Sequence, residues 1–266
     1  LAGTHGKTTT TSMVAWVLTH AGRDPSLLVG GIAANFEASY RLGAGRDFVI
    51  EGDEYDSAFF DKTAKFLKYV PDIAVIANIE FDHADIYEDL EAVRLAFRRL
   101  ANLVPRSGLL LVGADSPDAA ALVPLARSRV ETFGLASGAD WYAYDLESSA
   151  EGTSFRVRHA GAGLGVFRIA MAGSHNVKNA LAAMAIATAV GVDADTMREG
   201  LAAFAGVKRR LETVGSARGV TVLDDFAHHP TAVRETLSAV RASHPGARIW
   251  AVFEPRSASS CRRVFQ

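Results

Sequence analysis

The chain has 266 residues, of which 49% are hydrophobic, so it is long enough to bury a large core and to hold more than one domain. Its net charge of −2 gives no overall basic character for nucleic-acid binding, and no apolar run is long enough to span a membrane. A single cysteine, Cys261, excludes an internal disulfide framework and fits a reducing compartment. We therefore expect a cytoplasmic protein with neither nucleic acid nor membrane as partner.

The first segment, GTHGKT at residues 3–8, predicts a phosphate-binding loop (P-loop). Gly3 and Gly6 permit backbone N–H groups to surround phosphate oxygens, while Lys7 can reach the outer phosphates and Thr8 can hold a magnesium ion. Leu1 stands where the longer form of this pattern has glycine, and a glycine turn before a Thr-rich helix is the alternative. The predicted nucleotide contacts of the loop are Gly3, Thr4, His5, Gly6, Lys7, Thr8 and Thr9.

The segments that follow alternate between helical and strand patterns. Residues 8–21 predict a helix that ends at Gly22, and residues 89–104 have apolar side chains at helical spacing. Nearly continuous apolar runs predict buried strands at residues 26–32, 47–51, 73–79 and 108–113. This alternation predicts an α/β fold with a mostly parallel central sheet, in which Leu1 and Ala2 end a strand that is cut short.

The pattern changes after residue 140. Short, partly alternating segments at residues 141–147, 153–160 and 165–172 predict a small antiparallel sheet, followed by helices at 175–191 and 193–206. A polar stretch at residues 207–215 then predicts a boundary between domains 1–208 and 209–266. Beyond it, a strand at 219–226, a helix after Pro230 and a strand at 248–255 predict the start of a second, Rossmann-like α/β domain that is incomplete.

Acidic residues follow the predicted strand 47–51. Glu51 ends the strand and Asp53, Glu54 and Asp56 come directly after it, where the carboxylates can supply the oxygen ligands that magnesium prefers. The alternative is an acidic turn that caps a helix at residues 57–60.

Other polar clusters also follow strands or begin helices. His83 lies among carboxylates beyond strand 73–79 and is a candidate ligand for a metal or an anion, although Asp85 or Asp89 there can simply begin a helix. Asn176 and Asn179, three residues apart, suit a purine edge or a helix cap. Further along, Arg209 and Arg210 can hold a phosphate or solvate a linker, and DDFAHHP at residues 224–230 can be functional or a cap with exposed imidazoles.

Together these stretches resemble the Mur ligase family, whose members use ATP to build the peptide of bacterial cell-wall precursors. The resemblance covers essentially the whole chain. His5 and the His-His-Pro of residues 228–230 resemble the branch that acts on UDP-N-acetylmuramate, and DEYDSAFFDK and FEPRS resemble members that add a recycled tripeptide. The stretches that carry the family resemblance are GTHGKTTT, EGDEYD, NIEFDHAD, GSHNVKNALAA and DDFAHHPT.

The resemblance implies an ATP- and Mg²⁺-dependent ligase of peptidoglycan recycling. It joins UDP-N-acetylmuramate to L-alanyl-γ-D-glutamyl-meso-diaminopimelate through an acyl phosphate. The implied metal ligands are Thr8, Glu51 and His83, and the implied catalytic residues are Lys7, Glu51, His83 and Arg210. The implied nucleotide contacts beyond the loop are Asn176 and Asn179 for adenine, Arg209 and Arg210 for phosphates and Asp225 for ribose. The implied substrate contacts are His228, His229 and Arg256.

The chain also departs from the family. Phe97 stands fourteen residues after His83, where several members have a carbamylated lysine, so we assign no carbamate. The amino-terminal UDP-binding domain and most of the carboxyl-terminal domain are missing, so this piece by itself is expected to be inactive. The alternatives are a ligase that adds L-alanine alone, a nucleotide-binding fragment without catalysis, and a small-molecule kinase.

Overall fold

The computed structural model describes residues 1–255. Its helices are α1 (Lys7–His20), α2 (Leu90–Leu103), α3 (Pro117–Ala120), α4 (Ser174–Ala189), α5 (Ala194–Ala202) and α6 (Pro230–Ser243). Its strands are β1 (Ser26–Ala33), β2 (Ala38–Arg41), β3 (Phe48–Ile50), β4 (Asp56–Ala58), β5 (Asp61–Ala64), β6 (Ile73–Ile76), β7 (Leu109–Gly113), β8 (Arg129–Gly134), β9 (Trp141–Ser149), β10 (Gly152–His159), β11 (Ala162–Ile169), β12 (Glu212–Ala217) and β13 (Val220–Asp224). The mixed α/β class predicted from the sequence is confirmed.

A short extended segment, Leu1–Ala2, joins the two main sheets. One sheet has the order β2-β1-β3 and the other has the order β11-β10-β9-β8-β7-β6. The Leu1 carbonyl accepts the Gly52 N–H at 2.7 Å, and the Ala2 N–H donates to the Val75 carbonyl at 2.8 Å. Leu1 and Ala2 therefore lie as strand residues between β3 and β6, and the phosphate-loop motif leaves the middle of a continuous sheet.

The directions of the strands divide this sheet into two parts. Strands β6, β7, β8 and β9 are mutually parallel, whereas β9, β10 and β11 are antiparallel. The predicted antiparallel pairing is confirmed. The structure adds that this part continues the central sheet through the β8–β9 pair, because Phe133 and Gly134 lie opposite Trp141 and Tyr142.

Both faces of the sheet are covered, which explains the unbroken apolar runs. On β7, Leu109 and Leu111 pack in a core with residues of α1, α4 and α5, while Leu110 and Val112 pack in a second core with residues of α2. Successive side chains of a strand point to opposite faces, so a strand that is buried on both faces has apolar residues at every position.

Two expectations about local structure are wrong. The alternative for the acidic residues, a turn that caps a helix at 57–60, is wrong, because strands β4 and β5 form a hairpin there whose turn exposes Phe59 and Phe60. The predicted strand at 248–255 does not form within the described residues, because no neighbouring strand pairs with it, and Trp250 and Val252 are exposed. None of the helices within residues 1–255 is long and apolar enough to cross a bilayer.

Candidate active site

The phosphate-loop motif is held in place by the end of β6. Asn78 accepts the His5 N–H at 2.7 Å through Oδ1 and donates to the His5 carbonyl at 3.1 Å through Nδ2. Gly6 then begins α1 in a left-handed conformation with φ of 82°, and it has no side chain to cap the helix. The N–H groups of the first turn therefore point away from any intrahelical acceptor, which is the arrangement that binds anions.

Lys7 and His83 share one buried carboxylate. Glu54 Oε1 lies 2.8 Å from Lys7 Nζ and 2.9 Å from His83 Nε2. Burial by itself would raise the pKa of Glu54, but the charges and hydrogen bonds of Lys7 and His83 outweigh it, so this pKa is below its usual range. The same contact with Glu54 raises the pKa of His83 against the opposing effect of burial. Lys7, Glu54 and His83 therefore form a hydrogen-bonded cluster of charged side chains beside the phosphate-loop motif.

The predicted magnesium ligands Thr8 and Glu51 are in contact. Thr8 Oγ1 donates to Glu51 Oε1 at 3.1 Å, and the Gly30 N–H donates to Glu51 Oε2 at 2.7 Å. His83, the third predicted ligand, has Glu54 rather than Glu51 as its hydrogen-bond partner. A hydroxyl and a carboxylate are suitable magnesium ligands, and the buried Glu54 Oε2 has no partner among the described atoms, so the residues present fit a divalent cation.

The two asparagines of α4 support the loop. Asn179 Oδ1 accepts from Thr10 Oγ1 at 3.1 Å, and Asn179 Nδ2 donates to Asn176 Oδ1 at 3.2 Å. A Cβ added at Gly6 would lie 2.6 Å from Asn179 Oδ1. Asn176 Nδ2 also donates to the Ala172 carbonyl at 2.8 Å. Both amides are buried and line the cavity, and the predicted adenine contact stays a prediction.

The basic pair at the boundary faces the same cavity. Arg209 Nε donates to Asp224 at 3.2 Å, and both Arg209 and Arg210 lie near the ring of Phe226. Burial lowers the pKa of Arg210, although Asp225 and Glu51 oppose this effect. Within residues 1–255, no carboxylate lies within ion-pair distance of the Arg210 guanidinium, so this partly desolvated cation can receive an anion.

Asp225, the predicted ribose contact, is engaged with its own region. Its carboxylate accepts the N–H groups of Leu211 and Ala227, both at 2.8 Å, and the hydroxyl of Thr236 at 3.3 Å. It also lines the cavity, so the predicted ribose contact stays a prediction.

The two adjacent histidines have different environments. His228 is half-buried, with Nδ1 2.9 Å from the Phe226 carbonyl, whereas His229 is buried and caps α6 by accepting the Thr231 N–H at 3.3 Å. Burial and the neighbouring His5 lower the pKa of His229. Arg256, the remaining predicted substrate contact, lies outside the described residues.

One cavity of about 840 Å³ collects these residues from both regions. It is lined by the predicted residues Thr4, His5, Gly6, Lys7, Thr8, Thr9, Glu51, His83, Asn176, Asn179, Arg209, Arg210, Asp225, His228 and His229. The structure places these side chains together, although they come from six separate segments of the chain.

The site contains two further carboxylates: Glu54, which the sequence offers as one of several possible magnesium ligands, and Glu80, to which the sequence assigns no role. Glu54 is the partner of Lys7 and His83, and Glu80 accepts from His5 at 3.2 Å and from Thr231 at 2.7 Å. The bond with His5, aided by Thr231, lowers the pKa of Glu80 to about 2. Both follow a buried strand within four residues, so their position was visible in the sequence, but their partners were not.

Comparisons with known proteins match two parts of the chain to domains of one family. The Mur ligase middle domain matches residues 1–187, and the Mur ligase, glutamate ligase domain matches residues 209–266. A UDP-N-acetylmuramate–L-alanyl-γ-D-glutamyl-meso-2,6-diaminoheptandioate ligase of Haemophilus influenzae is 43% identical over 97% of this chain and 56% of its own length. A UDP-N-acetylmuramate–L-alanine ligase of a Geobacter species is 40% identical over 100% of this chain and 56% of its own length. The chain thus spans about half the length of these relatives.

Solved structures of ligases of the same two kinds have a fold similar to that of this chain. The murein peptide ligase of Psychrobacter arcticus superposes with a TM-score of 0.74 at 37% identity, over 96% of this chain and 56% of that one. The UDP-N-acetylmuramate-alanine ligase of Thermotoga maritima superposes with a TM-score of 0.76 at 29% identity, over 90% of this chain and 53% of that one.

Proposed function

This chain belongs to the Mur ligase family, and we propose that it is the ATP-binding part of a ligase that joins UDP-N-acetylmuramate to L-alanyl-γ-D-glutamyl-meso-diaminopimelate. The observation that carries the proposal is the single cavity in which Lys7, Arg210 and the Thr8–Glu51 pair meet. Two cations, a loop of N–H donors and a magnesium-type donor pair are what a transferred phosphoryl group requires.

The reaction has two steps. A carboxylate oxygen of UDP-N-acetylmuramate attacks the γ-phosphorus of ATP, so an acyl phosphate forms and ADP leaves. The α-amine of the tripeptide then attacks the acyl carbon, inorganic phosphate leaves, and the amine loses a proton as the amide forms. Negative charge develops on phosphoryl oxygens in the first step and on the acyl oxygen in the second.

Each residue has a role that follows from its position. Lys7 is held at the loop by the Gly3 carbonyl at 2.8 Å and by Glu54, so its ammonium is oriented before nucleotide binds. Thr8 and Glu51 would hold Mg²⁺, which neutralises phosphate charge when bound. Arg210 faces the same cavity from the second region and would contact the transferred phosphate.

The position of His83 also suits a charged site. Its backbone has a φ of 55°, a left-handed conformation that is strained for a residue with a side chain. The imidazole Nε2 lies 2.9 Å from Glu54 Oε1, and the centre of the Tyr55 ring lies 4.3 Å from that of the imidazole. We assign His83 to the support of Glu54 and of a second magnesium ion.

A second candidate is a ligase that adds L-alanine alone, because the relatives include such enzymes at 39–42% identity. The tripeptide is favoured because relatives from Haemophilus influenzae and Escherichia coli named for the tripeptide are both 43% identical. This substrate choice separates two enzymes with the same nucleotide chemistry.

The test offers the protein at its full natural length UDP-N-acetylmuramate and Mg-ATP with either tripeptide or L-alanine. Phosphate release and the mass of the product are measured together. We expect a product with the tripeptide and no product with L-alanine. Product with L-alanine alone would establish the second candidate, and nucleotide binding without any product would indicate a binding module.

The 266-residue chain provides a second test of the proposal. We expect calorimetry to detect weak Mg-ATP binding by this chain and a ligation assay to detect no product. Lys7→Met should abolish the binding, whereas Lys62→Met, which changes a lysine of the β4–β5 hairpin, should leave it unchanged. Equal binding by both variants would remove Lys7 from the nucleotide site.

A further inference from the structure

Three potential metal ligands from three separate segments converge beside the phosphate-loop motif. They are His5 in the loop, Glu80 beyond β6 and His229 at the start of α6, and their ligand atoms all lie within 4.8 Å of one another. Glu80 Oε2 lies 3.2 Å from His5 Nε2 and 3.4 Å from His229 Nδ1. Neighbouring ligand atoms of a tetrahedral zinc ion lie about 3.3 Å apart when each is about 2.0 Å from the metal.

From this geometry we propose that His5, Glu80 and His229 form a binding site for a divalent transition metal, with Zn²⁺ as the preferred ion. The site is distinct from the Thr8–Glu51 pair, and it does not depend on the ligase function proposed above. Two imidazoles and one carboxylate suit Zn²⁺, whereas Mg²⁺ prefers oxygen ligands only.

The tautomer of His229 supports this assignment. Its Nε2 lies 3.3 Å from the Phe81 carbonyl, and a carbonyl can only accept, so Nε2 carries the proton. Nδ1 therefore has a lone pair, and this nitrogen faces the carboxylate of Glu80, which has lone pairs as well. Nδ1 accepts the Thr231 N–H at 3.3 Å, a long hydrogen bond, and a cation between Nδ1 and the carboxylate would bind both groups through their lone pairs.

Hydrogen bonds orient two of the three residues in the way that is common for metal ligands. A histidine that binds a metal commonly donates its other ring N–H to a backbone carbonyl, as His229 does to Phe81. The Thr231 hydroxyl donates to Glu80 Oε2 at 2.7 Å and orients the carboxylate. Three protein ligands leave a fourth position open, and because all three residues line the cavity, that position is accessible to water or to a substrate oxygen.

The position of the site in the fold suggests what the metal does. His5 and Glu80 belong to the first region, whereas His229 begins α6 in the second region, and the rings of His5 and His229 already lie 4.6 Å apart. A bound ion would connect α6 to the phosphate-loop motif. It would replace the 3.3 Å contact between Thr231 N–H and His229 Nδ1 by a stronger metal–nitrogen bond.

The experiment measures Zn²⁺ affinity of the 266-residue chain by competition with a chromophoric chelator at neutral pH. All proteins carry Cys261→Ser, since a thiolate would also bind zinc. Glu80→Gln still accepts from Thr231, and His229→Asn still caps α6, so both changes remove a ligand with little change of local structure. We expect one Zn²⁺ per chain and a loss of affinity on the order of 100-fold in each variant.

Two matched controls locate the ion. His228→Gln removes the adjacent imidazole, and Glu51→Gln removes the carboxylate that contacts Thr8, so neither should change Zn²⁺ affinity. X-ray absorption at the zinc edge should show two imidazoles. If His229→Asn does not fold, as judged by circular dichroism, His5→Gln takes its place.

Three results would overturn the proposal. One is wild-type Zn²⁺ affinity no tighter than millimolar. The second is equal affinity in the wild type, Glu80→Gln and His229→Asn proteins. The third is a loss of affinity in Glu51→Gln with none in His229→Asn, which would place the ion at the Thr8–Glu51 pair.

Discussion

Residues 1–208 and residues 209–255 line the same cavity, but they are stabilised differently. Both large clusters of buried apolar side chains lie wholly within the first region. In the second region, within the described residues, Ala239 is the buried apolar side chain, while Val214, Val220 and Val252 are each more than half exposed. The second region is therefore positioned mainly by polar contacts with the first, and the geometry of the shared cavity depends on those contacts.

Specific polar contacts connect the two regions within residues 1–255. Thr231 donates to Glu80, His229 contacts the Phe81 carbonyl, and His175 Nδ1 lies 3.8 Å from Glu235. Polar contacts with partly exposed partners contribute little stability, and that contribution changes with pH when a partner titrates. The stability that comes from apolar burial does not depend on pH in this way. The first region thus holds the phosphate-loop motif against a large apolar core, whereas the second region contributes cavity-lining side chains held mainly by polar contacts.

The largest expected effect comes from comparing a buried tryptophan of the first region with an exposed tryptophan of the second. Trp141 is fully buried against β8 and stacks on His159, whereas Trp250 is 76% exposed. Trp141→Ala should lower the free energy of unfolding by about 3–5 kcal/mol, because it leaves a cavity in the core. Trp250→Ala should change it by less than about 0.5 kcal/mol. Urea unfolding followed by circular dichroism measures both, and equal losses would contradict the comparison.

The next effect tests whether the buried Lys7–Glu54 pair contributes to the stability of the first region. Lys7→Met leaves the buried Glu54 without its ammonium partner and should lower the free energy of unfolding by about 3 kcal/mol. Lys62→Met breaks the exposed pair with Asp56 and should lower it by less than about 1 kcal/mol. Adding Glu54→Gln to Lys7→Met should restore most of the loss. A double variant as unstable as Lys7→Met would show that Glu54 is not the cause.

A smaller effect measures how closely the loop is packed. Gly6 and Gly22 both have positive φ, at 82° and 72°, so alanine at either position is strained by about 1–2 kcal/mol. Only at Gly6 would the new Cβ also lie 2.6 Å from Asn179 Oδ1, while at Gly22 it would meet no atom within 4 Å. Gly6→Ala should therefore be less stable than Gly22→Ala by about 1 kcal/mol or more. Thermal unfolding of the pair gives the difference directly.

The smallest effect concerns the contact between the regions and depends on pH. Burial lowers the pKa of His175, against the opposing charges of Glu235 and Asp225 and with the aid of Lys178 and Arg210. Because the folded pKa is below the unfolded value of 6.5, the unfolded state binds more protons, and stability is lost as the pH falls below 6.5.

His175→Gln should therefore make the melting temperature less dependent on pH between about 6.5 and 5. The change should be small, since the side chain is partly exposed although its Nδ1 is buried. His20→Gln, which removes a surface imidazole near Glu199, serves as the control. A variant whose pH dependence equals that of the wild type would show that His175 stays uncharged in both states or is solvated in the folded one.

Much of the architecture could be predicted from the sequence because its signals are local. The unbroken apolar run of β7 reflects burial on two faces, and the spacing of Val93, Phe97 and Leu100 reflects the one buried face of α2. The glycine pattern of residues 3–8 is a property of the backbone, and Asp89 caps α2 as its position indicates, accepting the Ala92 N–H at 2.8 Å. Such features need no knowledge of distant residues.

The partners within the site were decided only by the tertiary structure. Glu54 pairs with Lys7 across 47 positions of the chain, and Glu80 accepts from Thr231 across 151. The sequence places Glu51, Glu54 and Glu80 near strand ends, but a hydrogen bond depends on tenths of an ångström, which the packing of α1, β6 and α6 sets. The same reason explains the failed strand at 248–255: its residues favour a strand, but a strand requires a neighbour that pairs with it.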